Sequence, residues 1–357
     1  MASETAVNYA LRAAALATLF EAKVQSNINR SCVGLQLFEK MAADGKNVSW
    51  DVATGTAVPT TAAIADGVDV DTFLADTKQQ AVLTFAVYHD AFSISGLAEA
   101  AARAAGNPAQ LADLLGDELS DSLDRLGAAI GYDFYWGTGS SYKFQGLVDT
   151  SNGPFTDAGT YAGIARSGAA QWKGNVVDAS KGRITVAKVR ELVRKINIAS
   201  GKSPDFYITT PIVFDQLADQ LSAQRRFVQE VNLPSRGTIR LDGGYDLVDF
   251  DGKPVFKDVR LANTAAADSG VFLACNSSSV RVRYLPHLPA PQILRNAGIT
   301  VTPEMQMNSA ATGLIGKIEE LAKTGDKRKL ATYIYLTPQV RQPCANGVIQ
   351  NINELAA

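Results

Sequence analysis

Histidine is scarce in this chain: of 357 residues, only His89 and His287 carry an imidazole. One lies in a candidate strand and the other beside a proline. Two isolated imidazoles supply neither a metal-ligand cluster nor a base poised on a nucleophile, so both read as structural or surface residues. Cysteine is nearly as rare. Cys32, Cys275 and Cys344 stand far apart with no CxxC spacing, a pattern of free thiols in a reducing cytoplasm rather than of disulfides or a zinc site. Cys275, inside an apolar run, reads as core; Cys32 and Cys344 lack the basic neighbours that make a thiolate. Neither sign of charge dominates, with 34 Lys and Arg against 36 Asp and Glu and a net charge of −2. That balance argues against a protein whose whole surface grips nucleic acid, while leaving room for local basic patches. No apolar run approaches the ~20 residues that a membrane-spanning helix needs. The opening MASETAVNYALRAAALATLF has no basic region ahead of its apolar part and is interrupted by Glu4 and Arg12, against a signal peptide.

What is present is a chain with 46% hydrophobic and 20% charged residues, long enough for about two domains of ~100–200 residues. Residues 3–24 read as an Ala-rich helix capped by Ser3, too apolar all round to stand without something to pack on. In Val48-Ser49-Trp50-Asp51-Val52 the alternation puts Val48, Trp50 and Val52 on one face of a strand, and QAVLTFAVYHDAFSI (80–94) supplies its return. Between them, Asp51 to Thr77 holds five Asp and no Lys or Arg. A connection that long is uncommon in a compact domain and is usually functional or mobile. The expectation is a long two-stranded arm with an acidic tip.

The clearest helix comes next. Asn107 is a good N-cap, Pro108 takes the first helical position, and Leu111, Leu115, Leu119, Leu123 (or Ser122), Leu126 and Ile130 recur toward Trp136 before Gly137. A helix over 108–136 would be a rod of ~42 Å at ~1.5 Å per residue. Beyond a Gly/Ser turn the chain turns mixed. Thr185 caps VAKVRELVRKINIAS with Gly201 after it, FYIT (206–209) is a strand, and PIVFDQLADQL is a helix begun by Pro211. Then LVDF, an Asp-Gly turn at 251–252, PVFKDV, VFLAC and VRVRYL read as strands, followed by a helical insert around Leu314–Lys323 and a long strand ATYIYLTPQV.

This order of elements resembles the major capsid protein of tailed bacteriophages, the Hong Kong 97-like fold family. The supporting segments are GTYAGIARSGAAQWKG (159–174), TVAKVRELVRKI with PDFYITTPIVFDQL, GVFLACNSSSVRVRYL, and RKLATYIYLTPQVRQPCANGVIQNI. The resemblance implies an α+β capsid fold. Its parts would be a partly helical N-terminal arm (1–30), an E-loop hairpin with flanking strands (31–95), and a P-domain (96–148) with a spine helix over 108–136. A mixed α/β A-domain (149–285), P-domain return strands (286–345) with the helical insert near 312–324, and a C-terminal tail (346–357) would follow. It also implies a structural protein without catalytic residues, cofactor or metal. Such a protein assembles through hexamers and pentamers into an icosahedral virion shell around double-stranded DNA, in the host bacterial cytoplasm, with a portal as partner and no membrane. No long N-terminal scaffolding domain is present in this sequence, and the expectation is either a separate scaffold protein or a gene product that has been trimmed.

A hairpin arm with an apolar face needs a surface to lie on, because two-stranded ribbons are marginal in water. The expected contact set between subunits is Val48, Trp50 and Val52 with the acidic tip Asp66, Asp69 and Asp71, received on Arg281, Arg283 or Lys327–Lys329 of a neighbour. Sharper motifs fade on inspection. GLIGK (313–317) lacks the first glycine of a phosphate loop, Ala311 standing there, and DGVDVD and DFDG lack the bidentate Glu of a calcium loop. The helix bearing Lys188, Arg190, Arg194 and Lys195 reads as a solvated face, with a subunit contact or DNA as alternatives. Lys46 and Lys78 flank the arm, but no Asn and Glu pair marks a covalent cross-link. Two other readings stay open: an encapsulin-type shell around a cargo enzyme, toward which the helical N-terminus leans, and a monomeric α/β enzyme or ligand-binding protein.

Overall fold

The computed structural model describes residues 32–43, 45–54, 78–97, 122, 125–221, 230–233, 237–240, 248–262, 270–285, 317–321 and 325–354. The helix expected over 3–24, the acidic stretch with Asp66, Asp69 and Asp71, the segment 108–121 of the long helix, and His287 lie outside the described residues.

A short buried helix α1 (Val33–Leu37) leads into strand β1 (Glu39–Ala42). Strands β2 (Asn47–Ala53) and β3 (Lys78–Thr84) then pair antiparallel, Trp50 opposite Ala81. After β4 (Ala86–Ser95), residues 125–136 form helix α2. Helix α2 ends where the sequence places its end. Gly137 N–H donates to the Asp133 carbonyl at 2.7 Å, and a Cβ at 137 would run into the Asp133 and Phe144 carbonyl oxygens.

Two short paired strands, β5 (Thr160–Tyr161) and β6 (Ile164–Ala165), precede β7 (Asn175–Asp178). Helix α3 (Val186–Ser200) has both expected caps: Thr185 Oγ1 accepts the Lys188 N–H at 3.3 Å, and Gly201 adopts φ 67°. Strand β8 (Phe206–Thr209), buried at all four positions, is followed by α4 (Pro211–Gln220) with its proline at the start. Next come β9 (Glu230–Leu233) and β10 (Gly237–Arg240), paired with each other, then the hairpin of β11 (Val248–Phe250) and β12 (Lys253–Lys257). Its Asp251-Gly252 turn has φ 51° and 73°, the paired positive φ that a tight hairpin demands. The chain then supplies β13 (Gly270–Cys275), β14 (Val280–Tyr284), β15 (Lys317–Leu321), β16 (Lys327–Val340) and β17 (Gly347–Ile352).

Two larger sheets result. The six-stranded one runs β11-β12-β8-β13-β17-β7; in the other, β1-β14-β16-β15 is extended by β4, which pairs along β16 from Lys327 to Leu336. Helices α3 and α4 cover one face of the six-stranded sheet, burying Leu192, Ile196, Phe214 and Leu217 against Tyr207, Phe272 and Ile349. Its other face (Phe206, Ile208, Leu273, Val348) joins α1, α2 and the five-stranded sheet in a single larger core. Pro338 sits in β16 without breaking it. Strand β4 stops at Leu336, and the edge that Pro338 leaves without a donor is the one where Val340 N–H meets the Tyr161 hydroxyl at 2.8 Å.

Three expectations are corrected. The helical insert around Leu314–Lys323 is contradicted at Lys317–Leu321, a strand that pairs antiparallel with β16 from Tyr333 to Lys329; a neighbouring strand edge overrides local helix preference. The tail expected over 346–357 is contradicted at Gly347–Ile352, where β17 runs between β13 and β7 inside the six-stranded sheet. A short apolar strand buried on both faces carries no alternation that would announce it. The A-domain does not extend unbroken to 285 either, because β14 pairs in the other sheet.

Candidate inter-subunit surface

The ribbon of β2 and β3 is one-sided. Val48, Ala81 and Leu83 are buried, while Asn47, Ser49, Asp51, Val82 and Thr84 are exposed. The apolar side was expected to wait for a neighbour. At the ribbon's base its own chain covers it instead: Val48 is 7% exposed, Trp50 and Val52 pack on the larger core, and the Trp50 ring lies 6.2 Å from Trp172. Val82 N–H also donates to the Ala162 carbonyl at 2.9 Å. The correction has a physical source. Sequence alternation tells which side of a strand is apolar, but not which chain covers it.

The expected receiving arginines lie on β14, adjacent to β1 and β16. Arg281 forms an ion pair with Glu39 at 3.0 Å. Arg283 donates to Gln339 Oε1 at 2.9 Å and to the Ala42 carbonyl at 3.4 Å. Its pKa is lowered, first by burial and then by the like charges of Arg281 and Arg341. Among the described residues one carboxylate, Glu39, serves this arginine cluster. Beside it an open groove of about 400 Å³ is lined by Trp50, Asp51, Lys202, Ser278 and Arg341. Lys202, on this lining, donates to Gln342 Oε1 at 2.8 Å. The structure thus puts Trp50 on the same groove as Arg341, which follows the end of β16 and acts electrostatically on Arg283 of β14. Lys327 begins β16 opposite Ser95.

Other singled-out residues have local roles. His89 stacks on Tyr333 across β4 and β16, ring centroids 6.0 Å apart. All three cysteines are buried, and burial raises their pKa values, which disfavours the thiolate. On α3, Lys188 caps the Ala179 carbonyl at 2.6 Å and Lys195 pairs with Glu191 at 3.2 Å.

Two organising side chains escaped the sequence reading. Arg166, in the small-residue segment 159–174, is 1% exposed. Its guanidinium donates to the carbonyls of Asn152, Gly153, Thr156 and Ala158 and to Thr156 Oγ1, between 2.7 and 3.2 Å. It is the internal template of a loop with no regular structure, and Trp172 closes that loop by donating Nε1–H to the Tyr161 carbonyl. Asp258, 3% exposed, holds three distant segments together. Its Oδ2 accepts Val33 N–H at 2.8 Å and the Tyr135 hydroxyl at 2.6 Å, and its Oδ1 accepts Arg260 N–H at 2.9 Å. Gly34 is required there, since a Cβ would press 2.6 Å from the Tyr135 hydroxyl. A second tie joins α2 to β4: buried Asp133 accepts the Tyr88 hydroxyl at 2.8 Å and Lys143 at 2.9 Å. Single residues like these carry no local pattern. Only a glycine at 34 and an acid ahead of a turn could have hinted at them.

Among the described residues this arrangement brings no nucleophile, base and oxyanion donor together, and no group of His, Cys, Asp and Glu could hold a metal ion. What the fold displays is a one-sided ribbon beside an arginine cluster, both built on the larger core.

No protein-family model matches the sequence, and no curated protein matches it either. Solved structures do match in three dimensions. A chain of the cyanophage A-1(L) capsid asymmetric unit superposes with a TM-score of 0.64 at 17% identity, covering 90% of this chain and 92% of that one. The holo-SrpI encapsulin complex from Synechococcus elongatus PCC 7942 gives 0.54 at 11% identity, covering 90% and 88%. Mycobacterium phage Bobi gives 0.52 at 12% identity, covering 90% of each chain. The chain therefore has the fold shared by these phage capsid and encapsulin shell proteins.

Proposed function

We propose that this protein is the major capsid protein of a tailed bacteriophage. It assembles through hexamers and pentamers into an icosahedral shell around double-stranded DNA, with a portal and a separate scaffold protein as partners. The observation that carries the reading is the end-to-end match with the cyanophage capsid chain, which leaves out less than a tenth of that chain (92% covered) and scores above the encapsulin (TM-scores of 0.64 and 0.54). The encapsulin likeness supports a second reading, a shell around a cargo enzyme. Expression of the chain with its gene neighbours, followed by negative-stain electron microscopy, tests both. Closed particles with nuclease-protected DNA fit the phage reading, particles filled with one protein fit the encapsulin, and a monomer of 37.9 kDa at high concentration refutes both.

Within that reading, the acidic stretch with Asp66, Asp69 and Asp71 docks on the Arg281–Arg283–Arg341 cluster of a neighbour. Supporting it are five Asp without a Lys or Arg over 51–77, and a cluster in which burial, and then the like charges of Arg281 and Arg341, lower the pKa of Arg283. Charge reversal of the three aspartates should abolish shells while circular dichroism stays unchanged. Normal shells from that variant would remove the electrostatic part.

A further inference from the structure

Helices α3 and α4 pack on the same face of the six-stranded sheet, and each leaves one stripe outside. On α3 the stripe is Arg190, Arg194 and Ile198, at helical spacing of four, with Ile198 79% exposed. On α4 it is Ile212, Asp215 and Asp219, at spacing of three and four, with Ile212 45% exposed. The charges are opposite. Arg194 has no hydrogen bond or ion pair among the described residues, and Arg190 reaches only Asp251 at 4.0 Å. The carboxylates of Asp215 and Asp219 likewise have no partner among the described residues, and α4 contains no Lys or Arg. A large aliphatic side chain that exposed, flanked by charge of one sign, marks a contact surface more than a solvated face.

We propose that these stripes dock on each other between two copies of this chain, the basic stripe of α3 against the acidic stripe of α4 of the next. The isoleucines, each at the end of its stripe, form the apolar end of the contact, and the charge pairs beyond them fix register. Because the two stripes are different surfaces, the contact is heterologous and repeats around a ring rather than closing a two-fold dimer. The inference rests on the shell reading for the ring it builds, but it names a contact which that reading does not contain and which involves neither the ribbon nor its arginine cluster.

Charge swapping tests it. Arg190→Glu with Arg194→Glu should lower the assembled fraction at least ~10-fold, as like charges then face each other. Asp215→Arg with Asp219→Arg should do the same, and the chain carrying all four substitutions should assemble to within about twofold of the wild type, since complementarity is restored. Unchanged assembly in both reversals, or no rescue by the fourfold variant, overturns the contact and leaves the shell reading standing. A second readout does not need shells. With Cys32, Cys275 and Cys344 buried, Ile198→Cys plus Ile212→Cys should oxidise to a ladder of linked chains, whereas Ile198→Cys alone stays monomeric. If the wild type forms no particles, the shell reading fails by itself; a ladder from the paired cysteines would still support the contact, and its absence would overturn it.

Discussion

Arg166→Met removes the guanidinium around which residues 152–158 are arranged while keeping a long side chain in the space. Five hydrogen bonds are lost, four of them to main-chain carbonyls. At ~1.5 kcal/mol for each bond to a charged group the sum is about 7.5 kcal/mol. Against this stands the desolvation of a charge that the variant no longer buries, the penalty that lowers the pKa of Arg166 to about 10. With that offset, and with some of the freed carbonyls reaching water, the expected net loss is ~3–4 kcal/mol. A chain of this size need not unfold in one step, so the sharper assay is local. Amide exchange across 153–174 should accelerate by about two orders of magnitude, at ~1.4 kcal/mol per tenfold, while α3 is unaffected. Arg166→Lys keeps the charge but cannot fork to both sides of the loop, and should lie between. Exchange in the methionine variant within twofold of the wild type would refute the template role.

Two further outcomes follow from the buried ties. Asp258→Asn turns one acceptor position toward an N–H donor, and Tyr135→Phe removes one charge-assisted bond to the same carboxylate. Each should cost about 1–3 kcal/mol in denaturant unfolding, and the double variant should fall short of additivity by at least ~0.5 kcal/mol; strict additivity would mean that the two groups do not act together. Burial also raises the pKa values of Tyr135 and Tyr161. The folded state then keeps both phenols protonated while the unfolded chain releases its protons near ~10, so the folded state binds more protons above that pH. The contribution of these two phenols to stability should be intact below pH ~10 and fall above it, by up to ~1.4 kcal/mol per group per pH unit. A urea midpoint that stays constant from pH 9 to 11 would contradict this.

Much of the local structure was legible from residue types alone. Thr185 and Gly201 bracket α3, Pro211 opens α4, Asp251-Gly252 turns a hairpin, and Gly137 stops α2, because caps and turns are decided by the few residues that can meet their backbone geometry. The alternation of β2 likewise told which side of the strand was apolar. Tertiary structure alone decided what that side meets, and it answered with Trp172 of the same chain. It also placed β17 in the middle of a sheet and β15 against β16, pairings made between residues distant in sequence. The roles of Arg166 and Asp258 belong to the same class. A buried charge that holds backbone segments together is one residue among many of its type until the chain has folded around it, since the groups that satisfy it come from elsewhere in the sequence.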